Sequence, residues 1–131
     1  MNHFTEEALQ ELKDLMAKEG IAFLFKHHIS DIYDENSEDP KDCLFFQKGQ
    51  MACYVYITSR STHLNPYDGL PMFCGKAIAW DVELDNEMKD LIYEEFSDVT
   101  PLGIFVSAAA LTLGRTKRGW LAERARIEST Y

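Results

Sequence analysis

The chain has 131 residues, 46% of them hydrophobic and 27% charged, the size and balance of one globular domain. Its 22 acids and 13 bases give a formal net charge of −9, opposite to the basic surface that general binding to nucleic acid or to anionic membranes requires. No stretch reaches the roughly 18 consecutive apolar residues of a membrane span, and the opening Met1-Asn2-His3-Phe4-Thr5-Glu6-Glu7 lacks the basic and apolar regions of a signal peptide.

The first predicted element is a helix over residues 5–18. Thr5 is placed as its N-cap, Glu6 and Glu7 suit the positive end of the helix dipole, and Phe4 with Leu9 has the spacing of a hydrophobic staple. Leu9, Leu12, Leu15 and Met16 recur at helical spacing and predict the buried stripe; Gly20 is placed to end the helix. The apolar run Ile21 to Phe25 reads as a buried strand. After Lys26-His27-His28 comes an acidic stretch, Asp31 to Asp42, in which six of twelve residues are acids, interrupted by Asn36, Ser37 and Pro40. That composition predicts an exposed loop.

Leu44 to Gln47 and Met51 to Thr58 are rich in aromatic and β-branched residues and flank Lys48-Gly49-Gln50, which predicts a β-hairpin. Ser59 to Pro71 reads as a polar loop with a turn at Asn65-Pro66-Tyr67-Asp68-Gly69. Met72 to Trp80 reads as another strand, weakened at Gly75. A second helix is expected from about Leu84 to Phe96, on the stripe Leu84, Met88, Leu91, Ile92 and Phe96. Leu102 to Leu113 fits both periods; the Thr100-Pro101 start, the alanine triplet and Gly114 favour a buried helix. A last helix is expected over about Trp120 to Glu128. The order predicts a single α+β domain across residues 1–131, with an antiparallel sheet of three to five strands packed against three to four helices.

Several places could carry chemistry. Residues 1–114 hold 20 acids and 8 bases, net −12, whereas residues 115–131 hold 2 acids and 5 bases, net +3. Such a basic tail pairs with the protein's own acids, docks a partner or holds an anion. Arg124 falls beside Trp120, Leu121 and Ile127 on the apolar side of the last helix, so it needs a partner. Glu128, one turn on, is the ordinary one, and an anion held with Arg115, Lys117 or Arg118 is the functional alternative. Arg60 and His63, with Asp68 to orient the histidine, could bind or protonate an anionic or carbonyl group. The spacing Ala110, Gly114, Trp120 partly matches a helix-turn-helix offering Lys117, Arg118 and Arg124 to a DNA groove. Gly119 inside the recognition helix, Glu123 at a core position and the acidic body weigh against it, so nucleic acid is not an expected partner.

His27 and His28 with Asp31 and Asp34 suggest a metal site, but adjacent histidines diverge and the carboxylates lack the spacing of a calcium loop. Cys43, Cys53 and Cys74 form no Cys-x-x-Cys and lie beside apolar residues, as buried reduced thiols do. Neither a metal nor a cofactor is expected, there is no catalytic signature, and a cytoplasmic location is expected. Tyr33, Tyr54, Tyr56, Tyr67 and Tyr93 cannot all be deep, and exposed tyrosines suit a protein partner or a second copy of the chain. The leading expectation is a non-enzymatic interaction module, an inhibitor, immunity-type or adaptor protein. Its partner surface would be Tyr33 with Asp31, Asp34, Glu35 and Glu38, meeting a basic target. The alternative is a binder of a small anionic ligand, or a minor enzyme, using Arg60, His63, Arg115, Lys117, Arg118 and Arg124.

Overall fold

The computed structural model describes residues 5–29, 41–82 and 92–131. Helix α1 (Glu6–Lys18) starts where capping predicts: the Thr5 side chain accepts a hydrogen bond from the Ala8 N–H at 3.1 Å. Beyond its end, Gly20 N–H donates to Ala17 C=O and Ile21 N–H to Met16 C=O, both at 3.0 Å. These paired bonds form a Schellman closure that satisfies two terminal carbonyls. Ala8, Leu9, Leu12 and Met16 are buried, while Leu15 is only partly so.

Five strands follow: β1 (Ala22–Ile29), β2 (Lys41–Lys48), β3 (Met51–Leu64), β4 (Pro71–Asp81) and β5 (Ile92–Val99). They pair antiparallel in the order β1-β2-β3-β4-β5. Helix α2 (Pro101–Gly114) and helix α3 (Lys117–Thr130) complete the order. This is an α+β fold on one antiparallel sheet. Its main core lies between the sheet and the helices: Leu44 and Phe46 of β2, Val55 and Ile57 of β3, Phe73, Ala77 and Ala79 of β4, and the α2 residues Ile104, Phe105 and Ala108 to Leu111. Residues 104–112 of α2 are all buried, as expected of a helix apolar all round.

Three expectations need correction. Residues 92–96, predicted as the end of a helix, lie in β5, where Tyr93 pairs with Ile78 and Glu95 with Lys76; residues 83–91 lie outside the described residues. The stripe Ile92 and Phe96 has helical spacing, but it also fits a strand, with Ile92, Glu94 and Phe96 in one row. The charged Glu94 in that inward row hid the alternation. Second, residues 59–64 of the predicted polar loop continue β3, with bulges after Ile57 and Arg60, so Arg60 and His63 sit on strand. Third, Lys41 and Asp42 belong to β2 and residues 26–29 to β1, since cross-strand hydrogen bonds extend a ladder through polar sequence. The last helix likewise begins at Lys117, because Thr116 caps it by accepting from Gly119 N–H at 3.0 Å.

Candidate functional site

Side chains alternate across a sheet. The residues opposite the core row, Cys43 and Phe45 of β2, Tyr54 and Tyr56 of β3, and Ile78 and Trp80 of β4, therefore share the other face. Among the described residues no helix packs there, and the face is aromatic. Tyr54 stacks on Trp80 with centroids 5.0 Å apart and lies 4.8 Å from Phe45, which in turn is 5.9 Å from Trp80. Each such contact adds about 0.5–1.5 kcal/mol beyond the area buried. Phe45, Tyr54 and Trp80 are half-buried, Tyr56 is fully buried, and Tyr93 on the neighbouring edge strand is 61% exposed. The tyrosines thus divide as expected, with Tyr67 on the β3–β4 turn almost wholly exposed.

Cys43, Tyr56 and Ile78 form a small buried cluster on this face. Burial pushes the Cys43 thiol up to about 12, against a hydrogen bond with Tyr56 that lowers it. The Cys53 thiol, on the core side, also rises to about 12 through burial, opposed by hydrogen bonds with Thr112 and Ile78. A raised thiol pKa favours the neutral form in the fold. Its stabilisation is complete below the ordinary value of 9.0 and is lost as pH rises from there towards about 12. Melting temperature should therefore fall above about pH 9, and Cys53→Ala should flatten the decline. At about pH 8 iodoacetamide should modify half-buried Cys74 first, and Cys43 and Cys53 only after unfolding. Prompt modification of all three native thiols would contradict this.

The basic residues singled out from sequence do not converge. Arg60 and His63 are exposed on the far part of β3, about 30 Å of strand from the Met51 end. Asp68 accepts from Leu70 N–H at 2.9 Å and Asn65 from Tyr67 N–H at 3.0 Å, so these side chains shape the turn. Arg115 lies at the opposite end of the strand, where it donates to Gln50 Oε1 at 3.3 Å. Arg118 is exposed in the first turn of α3, and Lys117 is its first residue. Arg124 is paired with Glu128 at 3.0 Å and with Glu94 of β5. Burial opposes the Arg124 charge, but hydrogen bonds with the two carboxylates outweigh it and raise the pKa. The Glu94 contact joins α3 to the sheet and also reduces what α3 could offer to a phosphate backbone. Tyr33, Asp31, Asp34, Glu35 and Glu38 lie outside the described residues. Among the described residues no group of three or more His, Cys, Asp or Glu side chains could hold a metal ion, and no helix is long and apolar enough to cross a membrane.

Sequence reasoning missed Phe45 and Trp80 as face residues, although strict alternation with Phe46 and Ala79 signals them. It also missed Glu94, whose signal was a carboxylate in an apolar row. Compared with protein-family models, curated proteins and solved structures, the chain matches none of them.

Proposed function

We propose that this chain is a small acidic, non-enzymatic binding protein, an inhibitor, immunity-type or adaptor module working in the cytoplasm. It engages a protein partner through the aromatic face of its sheet. The half-buried cluster of Phe45, Tyr54 and Trp80, with exposed Tyr93 beside it, carries this reading. Aromatic side chains supply large contact area at low conformational cost, and they dominate interface energetics. The net charge of −9 favours a basic partner, because opposite charge speeds encounter.

The experiment is pull-down with the tagged protein, identification of the bound partner, and measurement of its affinity for purified variants. Trp80→Glu and Tyr93→Glu should each weaken binding at least about tenfold while leaving the melting temperature nearly unchanged for Tyr93→Glu. Unchanged affinity in both variants would overturn the assignment of this face. Sedimentation of the protein alone tests the other occupant, a second copy of the chain. A dimer that Tyr93→Glu converts to monomer makes that copy the partner.

A further inference from the structure

We propose that a cleft at the β2–β3 turn is a binding site for a small oxyanion-bearing molecule, a carboxylate or a phosphate. The cleft has a volume of about 440 Å³ and lies where the ends of α1 and α2 and the flank of α3 meet the turn. Lys48, Arg115 and Arg126 face Glu19 and Glu123 across it. Arg126 bridges the two carboxylates, at 3.0 Å to Glu19 and 2.8 Å to Glu123. Lys48 and Arg115 have no carboxylate partner among the described residues. Lys48 Nζ donates to the Glu19 backbone carbonyl at 3.0 Å, and Arg115 Nη2 to the amide oxygen of Gln50 at 3.3 Å.

In a chain with 22 acids and 13 bases, two neighbouring cations held only by neutral oxygens are unexpected. Each keeps unused donors, and the fork of a guanidinium matches a carboxylate or phosphate edge. The cleft therefore carries net +1 on a protein of net −9. That +1 is the charge of the lining alone; Asp81, which pairs with Met51 across the β3–β4 ladder, adds an acid beside it.

A second observation falls on the same residue. The Gly114 carbonyl accepts from Thr116 N–H at 2.7 Å, which makes Arg115 the centre of a γ-turn at φ 62° and ψ −33°. That turn is rare and strained for a side-chain-bearing residue. The backbones on either side of it approach closely: a Cβ on Gly119 would lie 2.0 Å from the Gly114 carbonyl oxygen, and one on Gly114 would lie 2.3 Å from the Trp120 nitrogen. The tight link leaves Arg115 against Gln50 of the β2–β3 turn. The tight link between the helices accounts for the turn, and its consequence is that Arg115 is held beside the cleft.

The test uses the intact protein with inorganic phosphate and with citrate, sodium chloride supplying matched ionic strength. At about tenfold above the dissociation constant, at least one of the two should raise the melting temperature by about 5 °C. Arg115→Gly should abolish most of that shift without lowering the melting temperature of the free protein, because glycine takes the turn more readily. Lys48→Gln should weaken it, and Arg60→Gln, at the far end of β3, should leave it intact. Calorimetry well below the melting range reads the same affinities directly, should a variant be less stable. A response to phosphate alone, citrate alone or both, lost in Arg115→Gly, supports the site and identifies the anion. No binding of either at about 10 mM, or binding retained in Arg115→Gly, overturns it.

Discussion

Replacing Gly75 with alanine is expected to cost at least about 3 kcal/mol of folding stability. Typical domains have about 5–15 kcal/mol in total, so the urea midpoint should fall steeply. Gly75 pairs with Ile57 of β3 and Phe96 of β5, beside bulges in both ladders. A Cβ there would lie 1.9 Å from the Tyr56 carbonyl oxygen and 3.1 Å from the Phe96 ring. The oxygen belongs to backbone, which cannot rotate away as a flexible side chain would. Relief therefore requires β3 and β4 to part, which breaks ladder hydrogen bonds in the middle of the sheet. A variant as stable as the parent would mean that the two strands do not approach so closely.

The second large effect concerns two adjacent phenylalanines. Phe46→Ala should cost about 3–5 kcal/mol, and Phe45→Ala about 1–2 kcal/mol. Phe46 is fully buried on the helix side of β2, with its ring edge-on to Phe23 at 5.4 Å. Phe45 is half-buried in the aromatic cluster on the other side. Urea denaturation of the two variants reads the difference directly. Equal losses would mean that both faces are equally deep, leaving no aromatic surface for a partner. If the proposed docking face is correct, Phe45→Ala should also weaken partner binding more than Phe46→Ala does at temperatures where both are folded.

Arg124 and Glu94 show why part of the site was readable and part was not. The helical wheel placed Arg124 on an apolar face and required a partner for it. The sequence offered Glu128 four residues away, and that contact is present. It could not offer Glu94, thirty positions earlier, because residues 92–96 read as helix there. Glu94 occupies a core-facing row of an edge strand, where a carboxylate is as anomalous as an arginine on an apolar helix face. Each anomaly resolves the other, and only the fold, which packs α3 on α2 and α2 on the sheet, brings them together. The pairing of Arg115 with Gln50 has the same character, joining residues 65 positions apart.

What the sequence determined by itself was local. Capping at Thr5 and Thr100, the glycine stop at Gly20, the turn around Lys48-Gly49 and the apolar periods established α1, α2, the β2–β3 hairpin and the α+β class. These depend on interactions within a few residues, which a chain carries wherever it goes. The −9 charge likewise made an acidic body with a basic tail legible. Only the tertiary structure decided that β5 is a strand, that β3 runs on to Leu64, and that Arg60 and Arg115 lie at opposite ends of β3. Strand pairing and charge pairing are long-range: a ladder can draw polar residues into a strand, and a carboxylate can neutralise an arginine from anywhere the fold brings it. Of the basic residues that the sequence singles out, the cleft proposed above is lined by Arg115, whereas Arg60 and His63 lie away from it.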